Sequence, residues 1–283
     1  MSRSLAAEGW TRIPGGGWAE PGRELDLTLR VWAGQLTMPG LVASHRSAAR
    51  LWSIEVLREE LEFTDPRGAG RKTGARVHWL PLPPEEITVV GDLRVTTVAR
   101  TLADLLRRGP REDAVVALDS ALSSRRYGGR HWRGPLIGGL DTVAAALDSP
   151  PVARSPGAVR ARRWLTLADP EAGSPAETVA RLRMRDAGLH PESQARLVTP
   201  TGRLLRPDFF FRGVGVVVEI EGYGYHGTRE AHRRDLARYN DLASCPEIRV
   251  VLRFAAEEVF AAPEAFVARV RAAVEGALRA GVG

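Results

Sequence analysis

The chain of 283 residues is poor in residues that would open several functional classes, beginning with a single cysteine, Cys245. One cysteine excludes an internal disulfide and a cysteine-built zinc site, and it fits a reducing cytoplasm. No run of about 18 apolar residues occurs, so a helical membrane span is not expected. The first residues, MSRSLAAEGWTR, lack an apolar core of the kind a secretory signal carries. Lysine is also nearly missing: Lys72 is the only one among the 40 basic residues. The C-terminal half therefore has no lysine for catalysis. The arginine preference itself reads most simply as a coding bias.

What is present is a globular composition, 44% hydrophobic and 26% charged, in a length that suits two ordinary domains or one large one. The net charge is +6 and the pI about 10.3, which is compatible with a polyanionic partner, although the basic residues are spread along the chain.

The N-terminal part reads as a small α+β domain over residues 1–150. GWTRIPGGGWAEPG, with Trp10 and Trp18 around a glycine run, predicts a β-hairpin. Helical spacing covers 23–36. Ser44 is placed to cap a short helix in HRSAARLW. β-like runs follow at 61–64, 75–80 and 87–90. Thr96 and Thr97 can cap the helix VARTLADLLRR, and residues 112–124 and 139–148 predict two more helices. Pro and Ser in 149–157 suggest a linker, and a bridging helix near 158–168 completes the segment 151–173.

Residues 174–283 carry a second pattern, in the order α-β-β-β-α-β-α. Ser174-Pro175 starts a helix that Gly188 ends. Strands are expected in QARLVT (194–199), LLRPDFFF (204–211), VVVEIE (216–221) and IRVVLRF (248–254), with a helix over 229–243. A last helix starts at Pro263, with Phe266, Val270, Val274 and Leu278 as its buried stripe.

The hairpin between 204–211 and 216–221 is the informative feature. A symmetric pairing around the turn at 212–215 sets Asp208 opposite Glu219, with Cβ atoms about 5 Å apart. Glu221, two residues on, shares that face. The other face carries Phe209, Phe211, Val216, Val218 and Ile220, so one side reads as apolar and the other gathers three carboxylates. Like charges in that position repel and need an offset: a cation, a nearby arginine or a shared proton. Hard oxygen ligands suit Mg²⁺, which can polarise a phosphate and acidify a bound water. The plainer alternative is a half-exposed strand whose acids pair with Arg203, Arg206 or Arg212, and a slip of one residue would separate the acids altogether. His226, in the loop GYGYHG, is a candidate general base or phosphate contact, or a structural loop residue. Glu177, in the first turn of the leading helix, is a provisional metal-shell carboxylate or a helix-dipole partner. His232, Asp235 and Arg238 lie along one helix as a supporting or DNA-facing set, or as a solvated face.

These residues resemble the PD-(D/E)XK nuclease superfamily: Pro207-Asp208 matches its first motif and Glu219-Ile220-Glu221 its second, with Glu221 in the lysine position. More narrowly, SPAE (174–177), AGLHPESQ (187–194), RPDF (206–209), VVVEIEGYGYHG (216–227), RRDLARYNDL (233–242) and RVVLRF (249–254) resemble bacterial proteins related to very-short-patch-repair (Vsr) endonucleases. The resemblance covers roughly the last 110 residues. It implies a restriction-endonuclease-like mixed sheet between helices, Mg²⁺ or Mn²⁺ held by Asp208 and Glu219, and a histidine role for His226. The superfamily lysine is absent, and SCPEI replaces the Gly-aromatic pair usual before RVVLRF. GWTRIPGGGWAEPG, SHRSAARLW and RVTTVARTLADLL resemble AbiEi-type antitoxin proteins of actinobacteria, in which the hairpin is the wing of a winged helix. The helices that precede that wing are expected to be missing, since the chain begins almost at it.

Two functions follow as expectations. One is a metal-dependent DNA endonuclease using Asp208, Glu219, Glu221 and His226, with DNA as partner and no membrane contact. The other is a non-catalytic DNA-binding antitoxin or transcriptional regulator whose nuclease-type domain is a platform, with a cognate toxin as a further partner; a homodimer is open in either case. A purely structural domain fits the clustered acids less well.

Overall fold

The computed structural model describes residues 2–13, 16–68, 74–123, 136–222 and 229–280. They form a mixed α/β protein that divides into two compact units, one reaching to residue 122 and taken up again to residue 168, the other running from residue 169 onward. None of the described helices is long and apolar enough to cross a membrane.

The first unit begins with α1 (Ser2–Ala7) and the hairpin β1 (Thr11–Arg12) and β2 (Trp18–Ala19), paired Thr11 to Ala19 as the tryptophan-flanked glycine run suggests. Helix α2 (Leu27–Thr37) starts four residues later than its spacing implied, because Asp26 caps it by accepting from Leu29 N at 2.7 Å. β3 (Val42–Ala43) leads into α3 (His45–Leu51). Ser44 holds the cap position of α3 without bonding its backbone; its hydroxyl lies 3.0 Å from His45 Nδ1 instead.

β4 (Glu62–Thr64), β5 (Arg76–His78), β6 (Ile87–Val90) and β7 (Leu93–Thr96) join β3 in a five-stranded sheet of order β5-β4-β3-β7-β6. β3 and β7 were not apparent in the sequence, being two residues long and hidden in a capping pattern respectively. Thr97 caps α4 (Val98–Arg108), which packs with α5 (Arg111–Leu122), α6 (Leu140–Asp148) and α8 (Ala158–Leu165) around Leu102, Leu106, Leu118 and Leu147. The proline-rich stretch holds the one-turn helix α7 (Pro150–Ala153).

The second unit opens with α9 (Pro175–Asp186), followed by β8 (Glu192–Ser193), β9 (Leu197–Val198), β10 (Leu204–Leu205), β11 (Phe209–Phe211) and β12 (Val216–Glu221). The two expected strands on either side of residue 200 are each cut short. Gln194 takes a left-handed backbone, φ +50°, which ends β8 before β9 begins. Pro207 lacks an amide for a ladder, so β10 pairs with β9 in a separate ribbon while β11 enters the main sheet. That sheet is mixed, in the order β13-β12-β11-β8, where β13 (Val250–Ala255) lies parallel to β12 and the other pairs are antiparallel.

Helices α10 (Arg229–Ser244), α11 (Ala256–Ala261) and α12 (Pro263–Ala280) complete the unit. Phe254 and Phe266 meet edge to face at 4.7 Å, which fixes α12 to the sheet side carrying Val218 and Ile220. The stripe on α12 drifts as it runs: Phe266 and Val270 are buried, but at the far end Ala277 is buried and Leu278 is 52% exposed. A four-residue step overshoots the 3.6-residue turn, so three steps rotate the stripe off the sheet.

Candidate metal centre

The register of the central hairpin is the symmetric one. Phe209 pairs with Val218, Phe210 with Val217 and Phe211 with Val216, so Asp208 stands at the continuation opposite Glu219. Gly215 closes this turn with φ +72°, and a Cβ there would come 2.6 Å from Glu247 O. The face that bears the acids is not polar throughout. Phe210 and Val217 occupy it too, fully buried against Leu205, Leu242 and Cys245. The apolar-versus-acidic division expected of the two faces is thus corrected: both faces are covered, and the carboxylates sit at the end of an apolar patch that removes water from them.

Asp208 is held from two sides. Its Oδ2 accepts from the amide of Ile220 at 2.8 Å, and its Oδ1 accepts from Gln194 Nε2 at 3.0 Å. The same Gln194 nitrogen donates to Glu177 Oε2 at 3.1 Å, so one side-chain amide bridges two acids. Gln194 is buried, its own amide donates to Asp208 O at 2.9 Å, and its left-handed backbone is a local strain located at the cluster. The sequence reading did not single out Gln194, although it closes AGLHPESQ; the available signal was an amide donor near acids in space, which spacing does not reveal.

Glu177 reaches the cluster from the first turn of α9. Ser174 Oγ accepts from Glu177 N at 3.2 Å, and Glu177 Oε2 in turn accepts from Gly173 N at 2.8 Å. A Cβ at residue 173 would come 2.8 Å from Glu177 Oε1, so glycine leaves the carboxylate its place. Glu219 is met by α10: Arg238 Nη2 lies 3.0 Å from both of its oxygens and 2.9 Å from Arg206 O.

Burial is the main reason that Glu177 and Glu219 hold their protons tightly, and the charge of Asp208 is the next; both are pushed up to about 7. Arg238 opposes this at Glu219 without cancelling it. The arginines considered as partners from the sequence are engaged elsewhere: Arg203 with Asp241, Arg206 with Glu171, and Arg212 with Glu192 and Glu247. Glu221 shares the acid face but forms an ion pair with Arg253 of β13. His226 lies outside the described residues, as do the side chains of His232 and Asp235, whose backbone belongs to α10.

Among the described residues, no three of these carboxylates bring donor atoms within 4.8 Å of one another. No protein-family model matches the chain, and no curated protein matches it significantly.

Proposed function

We propose that the second unit is a divalent-cation-dependent endonuclease domain of the PD-(D/E)XK type, related to the Vsr-like proteins and built on a restriction-endonuclease-like fold, acting on DNA. The observation that carries this reading is the meeting of Glu177, Asp208 and Glu219 in one cluster. Glu177 and Glu219 flank Asp208 in a buried setting, both with proton affinities raised to about 7, and Arg238 is the cation that reaches Glu219. Such a cluster is stabilised by a proton or by a cation, and at neutral pH a cation competes well.

Asp208 and Glu219 are the residues that would hold Mg²⁺ or Mn²⁺, with Glu177 as a provisional further carboxylate beside them. An ion held there would polarise a phosphodiester and lower the pKa of a bound water. The protein supplies the placement: Ile220 N and Gln194 hold the Asp208 carboxylate, and Arg238 holds Glu219 through both of its oxygens. Glu221 and His226 are the candidates to move the proton of the attacking water. The ion pair with Arg253 holds Glu221 against β13, at the position where a lysine stands in the superfamily pattern.

Single-turnover hydrolysis of an end-labelled DNA duplex tests the reading. Product should appear with Mg²⁺ or Mn²⁺, disappear with chelator, and fall at least about a hundredfold in Asp208→Asn. Cleavage that proceeds equally in chelator would refute it.

A further inference from the structure

The first unit contains another ionisable cluster, built from residues outside the nuclease-like pattern. His45 starts α3, Glu62 starts β4 and His78 ends β5. Their candidate donor atoms all lie within 4.8 Å of one another, and all three residues are buried. The imidazole rings of His45 and His78 stack at 3.7 Å with 16° between their planes. His78 Nε2 is 3.0 Å from Glu62 Oε1, while the other Glu62 oxygen accepts from Arg46 N at 3.0 Å and Arg46 Nη1 at 3.2 Å.

Two features separate this group from an ordinary buried hydrogen-bond network. The first is His45. Its backbone stands at φ +49°, a costly conformation for a residue with a Cβ, and so its ring is held in the cluster against strain. Its Nδ1 lies 3.0 Å from Ser44 Oγ, yet Nε2 is buried with no hydrogen-bond partner among the described residues, and the residue is only 2% exposed. A network built only for stability would satisfy that nitrogen, since an orphaned buried polar group costs about 1–3 kcal/mol. With Nδ1–H donated to the Ser44 hydroxyl, Nε2 presents a lone pair, the arrangement by which a neighbouring acceptor orients a metal-binding histidine.

The second feature is charge. Three carboxylates, Glu60, Glu62 and Asp113, share the guanidinium of Arg46, with the exposed Arg76 adding a contact to Glu60 at 3.6 Å. A cleft of about 320 Å³ opens on the group, and Arg58, Arg76 and Arg108 are among its walls.

We infer that His45, Glu62 and His78 bind one divalent transition-metal ion of the Zn²⁺ class, leaving a coordination position open to the arginine-walled cleft for an anionic oxygen ligand. Two imidazoles and a carboxylate with a free fourth position are the donor set of a catalytic or ligand-binding zinc centre rather than a closed structural one. Around an ion with bonds of about 2.0–2.1 Å, tetrahedral ligands sit about 3.3 Å apart, so binding requires the 3.0 Å His78–Glu62 contact to open and the two stacked imidazoles to swing out of parallel, because each lone pair lies in its own ring plane. This set of soft and hard donors also discriminates against Mg²⁺ in favour of imidazole-binding metals.

The test uses the full chain, stripped with chelator and titrated with Co²⁺. One equivalent should bind at this site with visible d–d absorption, give paramagnetically shifted proton signals from two histidine rings, and be displaced by Zn²⁺, separately from any ion taken up at the carboxylates of the second unit. His45→Gln and His78→Gln should weaken uptake at least about a hundredfold, and Ser44→Ala about tenfold, the scale of a lost ligand-orienting bond. Asp208→Asn, which removes a proposed ligand of the ion in the other unit, should leave the two shifted histidine signals as they are in the wild type. Inorganic phosphate should change the absorption spectrum by entering the open position. Absence of the two shifted histidine signals in the wild-type protein, which does not depend on any variant folding, would overturn the site; so would uptake unchanged in folded His45→Gln or His78→Gln.

Discussion

Replacing Asp208 by Asn removes the charge that sits between Glu177 and Glu219 while preserving size and the acceptor for Ile220 N. In the metal-free protein both glutamates are raised to about 7, chiefly by burial and next by Asp208. Two unit charges about 5 Å apart, the cross-strand spacing, interact by about 3 kcal/mol at an effective dielectric of about 20. That corresponds to about two pH units, an upper bound because Gln194 and Ile220 N already absorb part of the Asp208 charge. The expected result is that both titration midpoints fall by about one to two pH units in Asp208→Asn, leaving a residual elevation due to burial. Carbon-13 NMR titration of the side-chain carboxyls, with chelator present, reads each group separately. Wild-type midpoints near 4.5, or midpoints that stay put in the variant, would refute the claim that Asp208 couples the two acids.

The same raised affinities make the ion-free second unit less stable as pH rises. Between about 4.5 and 7 the folded state holds protons that the unfolded chain has released, so stability is highest at the acid end and is lost through that window. Each acid contributes at most about 3 kcal/mol to the loss by pH 8, and the pair less than twice that because their protonations are linked; urea unfolding in chelator at several pH values should show the decline, and millimolar Mg²⁺ should reduce it. Gly215→Ala should cost about 1–3 kcal/mol by urea unfolding, since φ is +72° and the new Cβ meets Glu247 O at 2.6 Å. Phe210→Ala, emptying a fully buried position on the acid-bearing face, should cost about 3–5 kcal/mol in the same assay. A loss below about 1 kcal/mol would contradict the view that this face is a packed core.

Much of the second unit was readable because its signals are local. Alternating or continuous apolar runs marked β12 and β13, and the short turn between Phe211 and Val216 fixed the register that sets Asp208 opposite Glu219. What escaped depends on backbone conformation or on distance in sequence. The left-handed Gln194 ends a strand with no compositional warning, whereas the break at Pro207 was signalled by the proline itself. The bridge from Gln194 to Glu177 and Asp208 joins residues 17 and 14 positions apart, and the pairing of Glu219 with Arg238 spans 19. In the first unit, His45, Glu62 and His78 are brought together by a parallel pairing of β4 with β5 and by one strained residue at a helix start. No periodicity or spacing rule connects them.

The claim on which the account turns is that Asp208 and Glu219 hold a divalent ion that supports phosphodiester hydrolysis. The most direct measurement is conversion of supercoiled plasmid to nicked and linear forms by the wild-type protein, Asp208→Ala and Glu219→Ala, each with Mg²⁺, with Mn²⁺ and with chelator. The account predicts metal-dependent cleavage by the wild type and loss of it in both variants, with their folded content unchanged. Failure of the wild type to cleave with either ion, or cleavage at the wild-type rate by either variant, would contradict it.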